Sequence, residues 1–202
     1  MFDEVTVFNI REYLSAKADD NLGEEELRHI LSDFFCDKNS DIEEFLKKRA
    51  IEFTKKNQSV TYLVLSNEDA SLVGYFTIAI KPITVNVENF SKTLIRKIER
   101  VGRLDRETGT YSLPAYLIAQ LGKNYNNGLN EKITGEQLLN AAIDTVKELQ
   151  YMAGGMVVFL EAEPEAKLMD FYEKKNGFRR FAVRENENEH KNNPLVQLLK
   201  VL

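Results

Sequence analysis

Short stretches in which apolar and polar residues alternate recur along the chain and predict β-strands. The clearest pair, residues 59–66 and 71–85, is rich in β-branched and aromatic side chains. A short polar run from Asn67 to Ala70 separates the two, so the pattern predicts an antiparallel hairpin. Further strands are predicted at 5–10, 112–122, 156–163, 178–185 and 194–202, with Pro114 at the entry of the second of these and Gly122 at its end.

Between the strands, apolar residues recur every three or four positions and predict amphipathic helices. The most regular helix begins at Thr134, an expected N-cap, and ends at the glycine pair 154–155. Another is expected after an N-cap at Ser40-Asp41, and a short acidic one over 23–35. The buried faces predicted for the two longer helices are Leu138, Leu139, Ala142, Ile143, Val146 and Leu149 in the first, and Ile42, Phe45, Leu46, Arg49 and Phe53 in the second.

The last predicted helix carries Leu168, Phe171 and Tyr172 at helical spacing and ends at Asn176-Gly177, with Pro164 suited to its first turn. Two interpretations of Tyr172 are open. The ring packs on the sheet with its hydroxyl satisfied at the rim, as for most such tyrosines. Alternatively, the hydroxyl supplies a proton to a basic leaving group such as a thiolate.

The order of the elements predicts one mixed α/β domain over residues 1–202. The hairpin is followed by strand, helix, strand, helix, strand and strand. The segment 86–111 is charged and carries a short helix at "FSKTLIRKI", which indicates an excursion from the sheet. A polar connection spans 185–193, and the sequence contains no repeat, low-complexity tract or Pro/Ser-rich linker.

The composition is that of a globular protein, since 43% of the 202 residues are hydrophobic and 29% are charged. The net charge of −5 leaves no basic excess to neutralise phosphates, which argues against nucleic acid as a partner. Basic residues are concentrated in one segment, from Arg96 to Arg103. A solvated helix and loop is the favoured interpretation of this segment, and a phosphate or RNA contact is the alternative.

Several classes of protein are disfavoured by features that the sequence lacks. No apolar run approaches the roughly 18–20 residues of a membrane span, and the N-terminus has no secretory signal, so a cytoplasmic protein is expected. Cys36 is the only cysteine, and His29 and His190 lie in no ligand-spaced motif. We therefore expect no metal site and no Ser-His-Asp chemistry.

Two further places offer chemistry. The helix start at 133–136 presents backbone N–H groups and the positive end of a helix dipole, which is a generic phosphate cradle, although a capped helix explains the same residues. It is neither a P-loop nor a G-x-G-x-x-G motif. Glu161 and Glu163 are two residues apart and would project from one face of a strand. One of them could remove a proton from an amine, directly or through water. The alternative is a structural role as negative charges just before a helix.

Together these pieces resemble the GNAT superfamily of N-acetyltransferases over roughly the second two-thirds of the chain. "LVGYFTIAI" resembles the family's central hairpin strand, "YLIAQLGKN" the strand along the pantetheine arm, and "ITGEQLLNAAI" the start of the pyrophosphate-binding helix. The most specific part is "MVVFLEAEPEAKLMDFYEKKNGFRRF". The N-terminal "DIEEFLKKRAIEFTKKNQSVTYLV" is similar to the subgroup that includes toxin-type acetyltransferases of bacterial toxin–antitoxin pairs.

The resemblance implies a mostly antiparallel mixed sheet flanked by helices, and direct transfer of an acetyl group from acetyl-CoA, the acyl-donor substrate, to a primary amine without a metal. It implies that the backbone of Leu121 and Gly122 pairs with pantetheine, and that Tyr172 protonates the departing thiolate. Backbone N–H groups of a run of residues would hold the pyrophosphate: Lys132, Ile133, Thr134, Gly135 and Glu136.

The loop before Gly135 departs from the family pattern Q/R-x-x-G-x-G/A. Asn130 stands at the lead position, Glu131 stands where a glycine would admit phosphate, and a polar insertion, 124–130, precedes the helix. A weakened acyl-CoA-binding or regulatory module is therefore the alternative to an active enzyme. The sequence leaves three classes of acceptor open: a small-molecule amine, a protein amine and an aminoacyl-tRNA. It also leaves open whether the protein forms a homodimer.

Overall fold

The computed structural model describes residues 5–15, 23–88, 90–185 and 194–202. The predicted polar connection 185–193, which includes His190, lies outside these ranges except for Glu185. The strands are β1 Val5–Asn9, β2 Val60–Ser66, β3 Leu72–Asn86, β4 Arg103–Asp105, β5 Thr110–Lys123, β6 Val157–Ala162, β7 Arg179–Arg184 and β8 Leu195–Val201. The helices are α1 Ile10–Ser15, α2 Gly23–Ser32, α3 Ser40–Glu44, α4 Ala50–Lys55, α5 Lys92–Glu99, α6 Gly135–Ala153 and α7 Ala166–Met169, with π-helical turns at Phe45–Arg49 and Asp170–Lys175 and a 3-10 segment at Asn126–Glu131. Within the described ranges, every helix is too short or too polar to cross a membrane.

The described strands form a mixed sheet in the order β1-β2-β3-β5-β6-β8-β7, with β4 paired to β5. The predicted hairpin is confirmed, since β2 and β3 pair antiparallel with Val60 opposite Ile78 and Tyr62 opposite Phe76. The pair β5–β6 is parallel, whereas β1–β2, β6–β8 and β7–β8 are antiparallel. The predicted mostly antiparallel mixed sheet is therefore confirmed.

Strand β4 is an element that the sequence pattern missed. It pairs antiparallel with the start of β5, with Arg103 opposite Ser112, so the segment 86–111 returns to the sheet. Its side chains are exposed, and a strand without a buried face has no hydrophobic alternation to mark it. As a result β5 is longer than predicted at both ends, and Pro114 lies inside the strand and not at its entry.

The chain divides into two compact units, and β3, β5 and α6 each contribute residues to both. The first unit comprises Met1–Ala79 and Ala119–Asp144, and the second Ile80–Ile118 and Thr145–Leu202. The single domain over residues 1–202 stays a prediction.

Close backbone packing in the first unit requires glycine at two positions of neighbouring strands. A Cβ atom on Gly74 would stand 2.9 Å from the carbonyl oxygen of Gly122, and one on Gly122 would overlap the Cγ2 methyl of Ile42. The hydroxyl of Tyr75 donates to the carbonyl of Ile42 at 2.6 Å. The surrounding core is formed by Ile10, Leu27, Leu31, Phe34, Leu46, Ile51, Leu63 and Leu72.

The helix predicted after residue 40 is interrupted by a π-helical turn. Its N-cap is Asn39, one residue before the predicted cap, since the Asn39 side chain accepts from the Asp41 N–H at 3.0 Å. The turn Phe45–Arg49 adds a residue to the helical path and rotates the face that follows it. Arg49 and Phe53, predicted to be buried, are exposed. The residues buried instead are Ala50, Ile51 and Thr54.

In the second unit, α6 ends at the predicted glycine pair. Gly154 and Gly155 have φ values of +78° and +96°, a region that other residues rarely adopt. A Cβ atom on Gly155 would stand 2.8 Å from the ring of Tyr116, whose hydroxyl donates to the Gly154 carbonyl at 2.6 Å. The core of this unit is formed by Ile83, Val85, Ile98, Tyr111, Leu113, Val157, Phe159 and Leu199.

Asn124 anchors the start of the polar insertion between β5 and α6, in the first unit. Its side chain is fully buried. The Oδ1 atom accepts the N–H groups of Phe35 at 2.9 Å and Asn126 at 3.0 Å, and Nδ2 donates to the Leu72 carbonyl at 2.8 Å. The backbone N–H donates to the Val73 carbonyl at 2.9 Å. A buried amide that is satisfied in this way specifies one path for the chain.

We expect Asn124→Ala to lower the free energy of unfolding by about 2–4 kcal/mol, because the buried Leu72 carbonyl and the partly buried Phe35 N–H each lose a hydrogen-bond partner. Asn126→Ala is the matched control in the same loop. It removes only a solvent-facing hydrogen bond to the Asp33 carbonyl, at 3.0 Å, and should lower the free energy by less than about 1 kcal/mol. Urea denaturation followed by circular dichroism measures both, and equal losses would contradict the anchoring role.

Candidate functional site

Helix α6 begins with a capping box formed by Thr134 and Gln137. The Gln137 N–H donates to Thr134 Oγ1 at 3.1 Å, while the Thr134 N–H and hydroxyl each donate to Gln137 Oε1 at 2.8 Å. The Thr134 carbonyl accepts the first intrahelical hydrogen bond, from the Leu138 N–H at 3.1 Å. Thr134 is therefore the N-cap, as predicted.

The capping box decides which N–H groups at this helix start are available to an anion. Lys132 donates its N–H to the Leu129 carbonyl at 3.1 Å, and Thr134 donates to Gln137. Within the described part of the chain, the N–H groups of Ile133, Gly135 and Glu136 form no hydrogen bond. Gly135 and Glu136 are the first residues of a 19-residue helix, so they carry the positive end of its dipole.

The side chain of Lys132 is bound to the loop of the β2–β3 hairpin. Its Nζ atom lies 2.5 Å from Asp69 Oδ2 and 3.8 Å from Glu68 Oε2. The hydrogen bond from Lys132, followed by those from Ser71, holds the pKa of Asp69 well below its usual range, and the bond to Asp69 raises the pKa of Lys132. The positive charge of Lys132 is therefore balanced by two carboxylates of the hairpin.

Two lysines that the sequence pattern did not single out also supply positive charge in the first unit. The Nζ atom of Lys38 lies 4.6 Å above the ring centroid of Tyr125. Burial, followed by the nearby charge of Lys38, lowers the pKa of Lys123, and Glu131 opposes this shift. Because the two ammonium groups repel each other, an anion bound beside them would relieve that repulsion. Only the folded chain reveals the pair, since the two residues are far apart in sequence.

The remaining site residues predicted in the first unit lie at the end of β5. Leu121 is half-buried and Gly122 is buried, and the strand continues one residue further, to Lys123. Gly122 is held without a side chain by its packing against Ile42. Tyr172, in contrast, belongs to the second unit.

Tyr172 lies in the π-helical turn Asp170–Lys175. Its ring makes edge contacts with Phe171, at a centroid distance of 4.9 Å, and with Phe178, at 5.9 Å. Burial raises the pKa of Tyr172 to about 12. The shift makes the phenol a weaker acid than an ordinary tyrosine, so it would give up its proton only to a strong base. Asn176 closes the turn by donating its Nδ2 to the Phe171 carbonyl at 2.8 Å.

The hydroxyl of Tyr172 differs from those of two other tyrosines in the core. Tyr75 and Tyr116 each donate to a backbone carbonyl at 2.6 Å, which satisfies the buried hydroxyl. The hydroxyl of Tyr172 forms no hydrogen bond within the described ranges. Ring packing therefore accounts for the position of Tyr172, and within the described ranges its hydroxyl is left available to solvent or to a ligand.

The two predicted carboxylates do not form a pair on one strand face. Glu161 accepts from Gln197 Nε2 at 2.7 Å and lies 3.0 Å from a guanidinium nitrogen of Arg184, so its charge is neutralised within the sheet. This favours a structural role for Glu161. Strand β6 ends at Ala162, so Glu163 lies beyond the strand and its alternation.

The sequence matches no protein-family model and no curated protein. The fold is similar to solved structures over nearly the whole chain. AtaT complexed with acetyl-methionyl-tRNAfMet is 18% identical, with a TM-score of 0.61 covering 96% of this chain and 94% of that chain. A tyrosine-to-phenylalanine mutant of KacT is 18% identical, with a TM-score of 0.63 covering 98% and 95%. AtaTR bound with AcCoA is also 18% identical, with a TM-score of 0.54 covering 98% and 94%. At this identity the likeness shows the fold, and it confirms the predicted GNAT-like architecture.

The raised pKa of Tyr172 can be tested by ultraviolet titration of tyrosinate. At about pH 10.5 a tyrosine of ordinary pKa, about 10, is roughly three-quarters ionised. Because Tyr172 stays protonated to higher pH, we expect the wild type and Tyr172→Phe to show equal tyrosinate absorbance at this pH. Circular dichroism at the same pH verifies that both are folded. A deficit of roughly three-quarters of a tyrosinate in the variant would contradict the shift.

Proposed function

We propose that the chain is an acetyl-CoA-dependent N-acetyltransferase that transfers an acetyl group directly to a primary amine. The observation that carries the proposal is the hydroxyl of Tyr172, which forms no hydrogen bond within the described residues although its ring is held by Phe171 and Phe178. Two further observations support it. Donors suited to an anion occur at the start of α6, and AtaTR, which shares the fold, has been solved bound with AcCoA.

In the proposed reaction, the nitrogen of a neutral amine attacks the thioester carbonyl, and the C–N bond forms as the C–S bond breaks. The electron pair of the C–S bond leaves on sulfur, and Tyr172 donates its phenolic proton to that thiolate. The amine nitrogen loses one proton, for which Glu161, Glu163 and water are the candidate acceptors. The tyrosinate regains its proton from solvent, so the products are an acetamide and a free thiol.

The pyrophosphate of the donor is proposed to bind at the start of α6, within the run 132–136. Ile133, Gly135 and Glu136 have N–H groups that the described chain does not use. Lys38 and Lys123 supply positive charge that Lys132 cannot, since Lys132 is paired with Asp69. The backbone of Leu121 and Gly122 is proposed to pair with the pantetheine arm.

The acceptor is proposed to be a primary amine of a small molecule or a protein, which suits a net charge of −5. An aminoacyl-tRNA is the second candidate. It is favoured by the shared fold of AtaT, which was solved complexed with acetyl-methionyl-tRNAfMet. Cytoplasmic residence and a homodimer stay predictions.

Gly135→Pro tests the anion site at the start of α6. Proline is tolerated at the first position of a helix but has no N–H, so the fold should be kept while one donor to phosphate is lost. Acetyl-CoA should raise the melting temperature of the wild type by mass action. In the variant, we expect the Kd for acetyl-CoA to rise about tenfold or more.

Glu136→Gln is the matched control for this experiment, because it removes a carboxylate from the helix start and keeps the N–H. We expect its affinity for acetyl-CoA to be equal to or higher than that of the wild type. Equal thermal shifts in Gly135→Pro and the wild type would place the phosphates elsewhere. An unchanged melting temperature of the wild type at saturating acetyl-CoA would sink the enzyme proposal as a whole.

Tyr172→Phe tests the catalytic role. It keeps the ring contacts with Phe171 and Phe178 and removes the proton donor, so turnover should fall by roughly 10²–10⁴-fold while acetyl-CoA binding stays nearly intact. Tyr151→Phe makes the same chemical change at a side chain that is 93% exposed and should leave turnover unchanged. Steady-state kinetics with a panel of amines measures both, and equal turnover would reduce Tyr172 to a packing residue.

A further inference from the structure

The second unit contains a cleft of about 280 Å³ that the proposed acetyl transfer does not use. Polar groups line it from separate parts of the chain. Ser91, Thr93 and Lys97 come from α5 and its N-terminal cap, Arg179 comes from the start of β7, and Lys200 comes from β8. No carboxylate is among the lining residues in the described part of the chain. The cleft therefore combines positive charge with hydroxyl donors.

Arg179 differs from the other arginines of β7 in having no acidic partner within the described part of the chain. Two other arginines of β7 are paired, Arg180 with Glu173 at 3.2 Å and Arg184 with Glu161 at 3.0 Å. Arg179, in the same strand, forms no ion pair within the described ranges, and neither does Lys97 on α5. Within the described ranges three cations and no carboxylate line the cleft, which makes its local potential positive although the chain has a net charge of −5.

Lys200 is held in place at the wall of the cleft. Its Nζ atom donates to the Asn176 carbonyl at 2.9 Å and lies 5.8 Å from the centroid of the Phe178 ring. Because these contacts already hold the Lys200 side chain in place, it would lose little conformational freedom when an anion binds. Ser91 accepts from the Leu94 N–H at 3.3 Å, which leaves the hydrogen of its hydroxyl available as a donor.

We propose that this cleft binds the phosphate group of a ligand. The guanidinium of Arg179 and the ammonium of Lys97 would contact the phosphate oxygens, with the hydroxyls of Ser91 and Thr93 as further donors and Lys200 as a fixed charge. Pockets for whole small molecules span roughly 300–1,000 Å³. At about 280 Å³ the cleft is near the lower end of this range, so it has room for a phosphate group and part of the molecule that carries it. The inference does not depend on the proposed acetyl transfer.

The experiment uses two probes that both carry phosphate groups, pyrophosphate and a short single-stranded RNA. Both are titrated by calorimetry at low ionic strength with saturating coenzyme A, so that any coenzyme site is filled. We expect the double variant Lys97→Gln/Arg179→Gln to bind at least one probe about tenfold or more weakly than the wild type. Arg100→Gln removes a charge just beyond α5, outside the cleft lining, and should change the affinity by less than about twofold.

The outcomes separate the sources. If the double variant loses affinity for pyrophosphate but not for RNA, the result supports a site for free phosphate groups. If the double variant loses affinity for RNA but not for pyrophosphate, the result supports a site for a phosphate of the RNA backbone. Equal affinity of the double variant and the wild type for both probes would overturn the proposal, as would the absence of wild-type binding at millimolar concentrations. Circular dichroism verifies folding, and Arg179→Gln alone serves if the double variant is unfolded.

Discussion

The buried amide of Asn124 is the constraint on which the first unit depends. It joins the end of β5 to the Phe35 loop through a partly buried hydrogen bond and to β3 through a buried one. The 3-10 segment and the capping box of α6 follow directly from this fixed point. The N–H groups of Gly135 and Glu136 therefore follow a loop whose start is fixed by buried hydrogen bonds, although its sequence is polar.

The positive charge available beside the start of α6 does not come from Lys132, the basic residue of the preceding loop. Lys132 stands next to Glu131 in sequence, yet it is paired with Asp69 on the hairpin. The pairing fastens the loop to the sheet and removes Lys132 as a free cation. Lys38 and Lys123 take over the positive charge, and their mutual repulsion makes an anion favourable there. This arrangement of cations suits the proposed donor site.

In the second unit, the proposed acid and the proposed phosphate cleft are connected through the turn at Asn176. This residue closes the π-helical segment that carries Tyr172, and its carbonyl accepts from Lys200, which lines the cleft. A π-helical turn is common at functional positions because it re-aims side chains without ending the helix. Here it keeps the rings of Phe171 and Phe178 around a phenol whose hydroxyl is not used by the described chain.

The β2–β3 hairpin, the extent and buried face of α6, and the glycine pair that ends it were predictable from the sequence, because each follows from a local period or from the backbone freedom of glycine. The position of Tyr172 on a helical segment was predictable for the same reason. Strand β4 was not, since an exposed strand has no hydrophobic period. The π-helical turns were not predictable either, because packing inserts them. The pairing of Lys132 with Asp69 and the burial of Asn124 join residues more than 50 positions apart. Such contacts were settled by the tertiary structure alone, because local periodicity carries no information about which distant backbone groups must be satisfied once water is excluded.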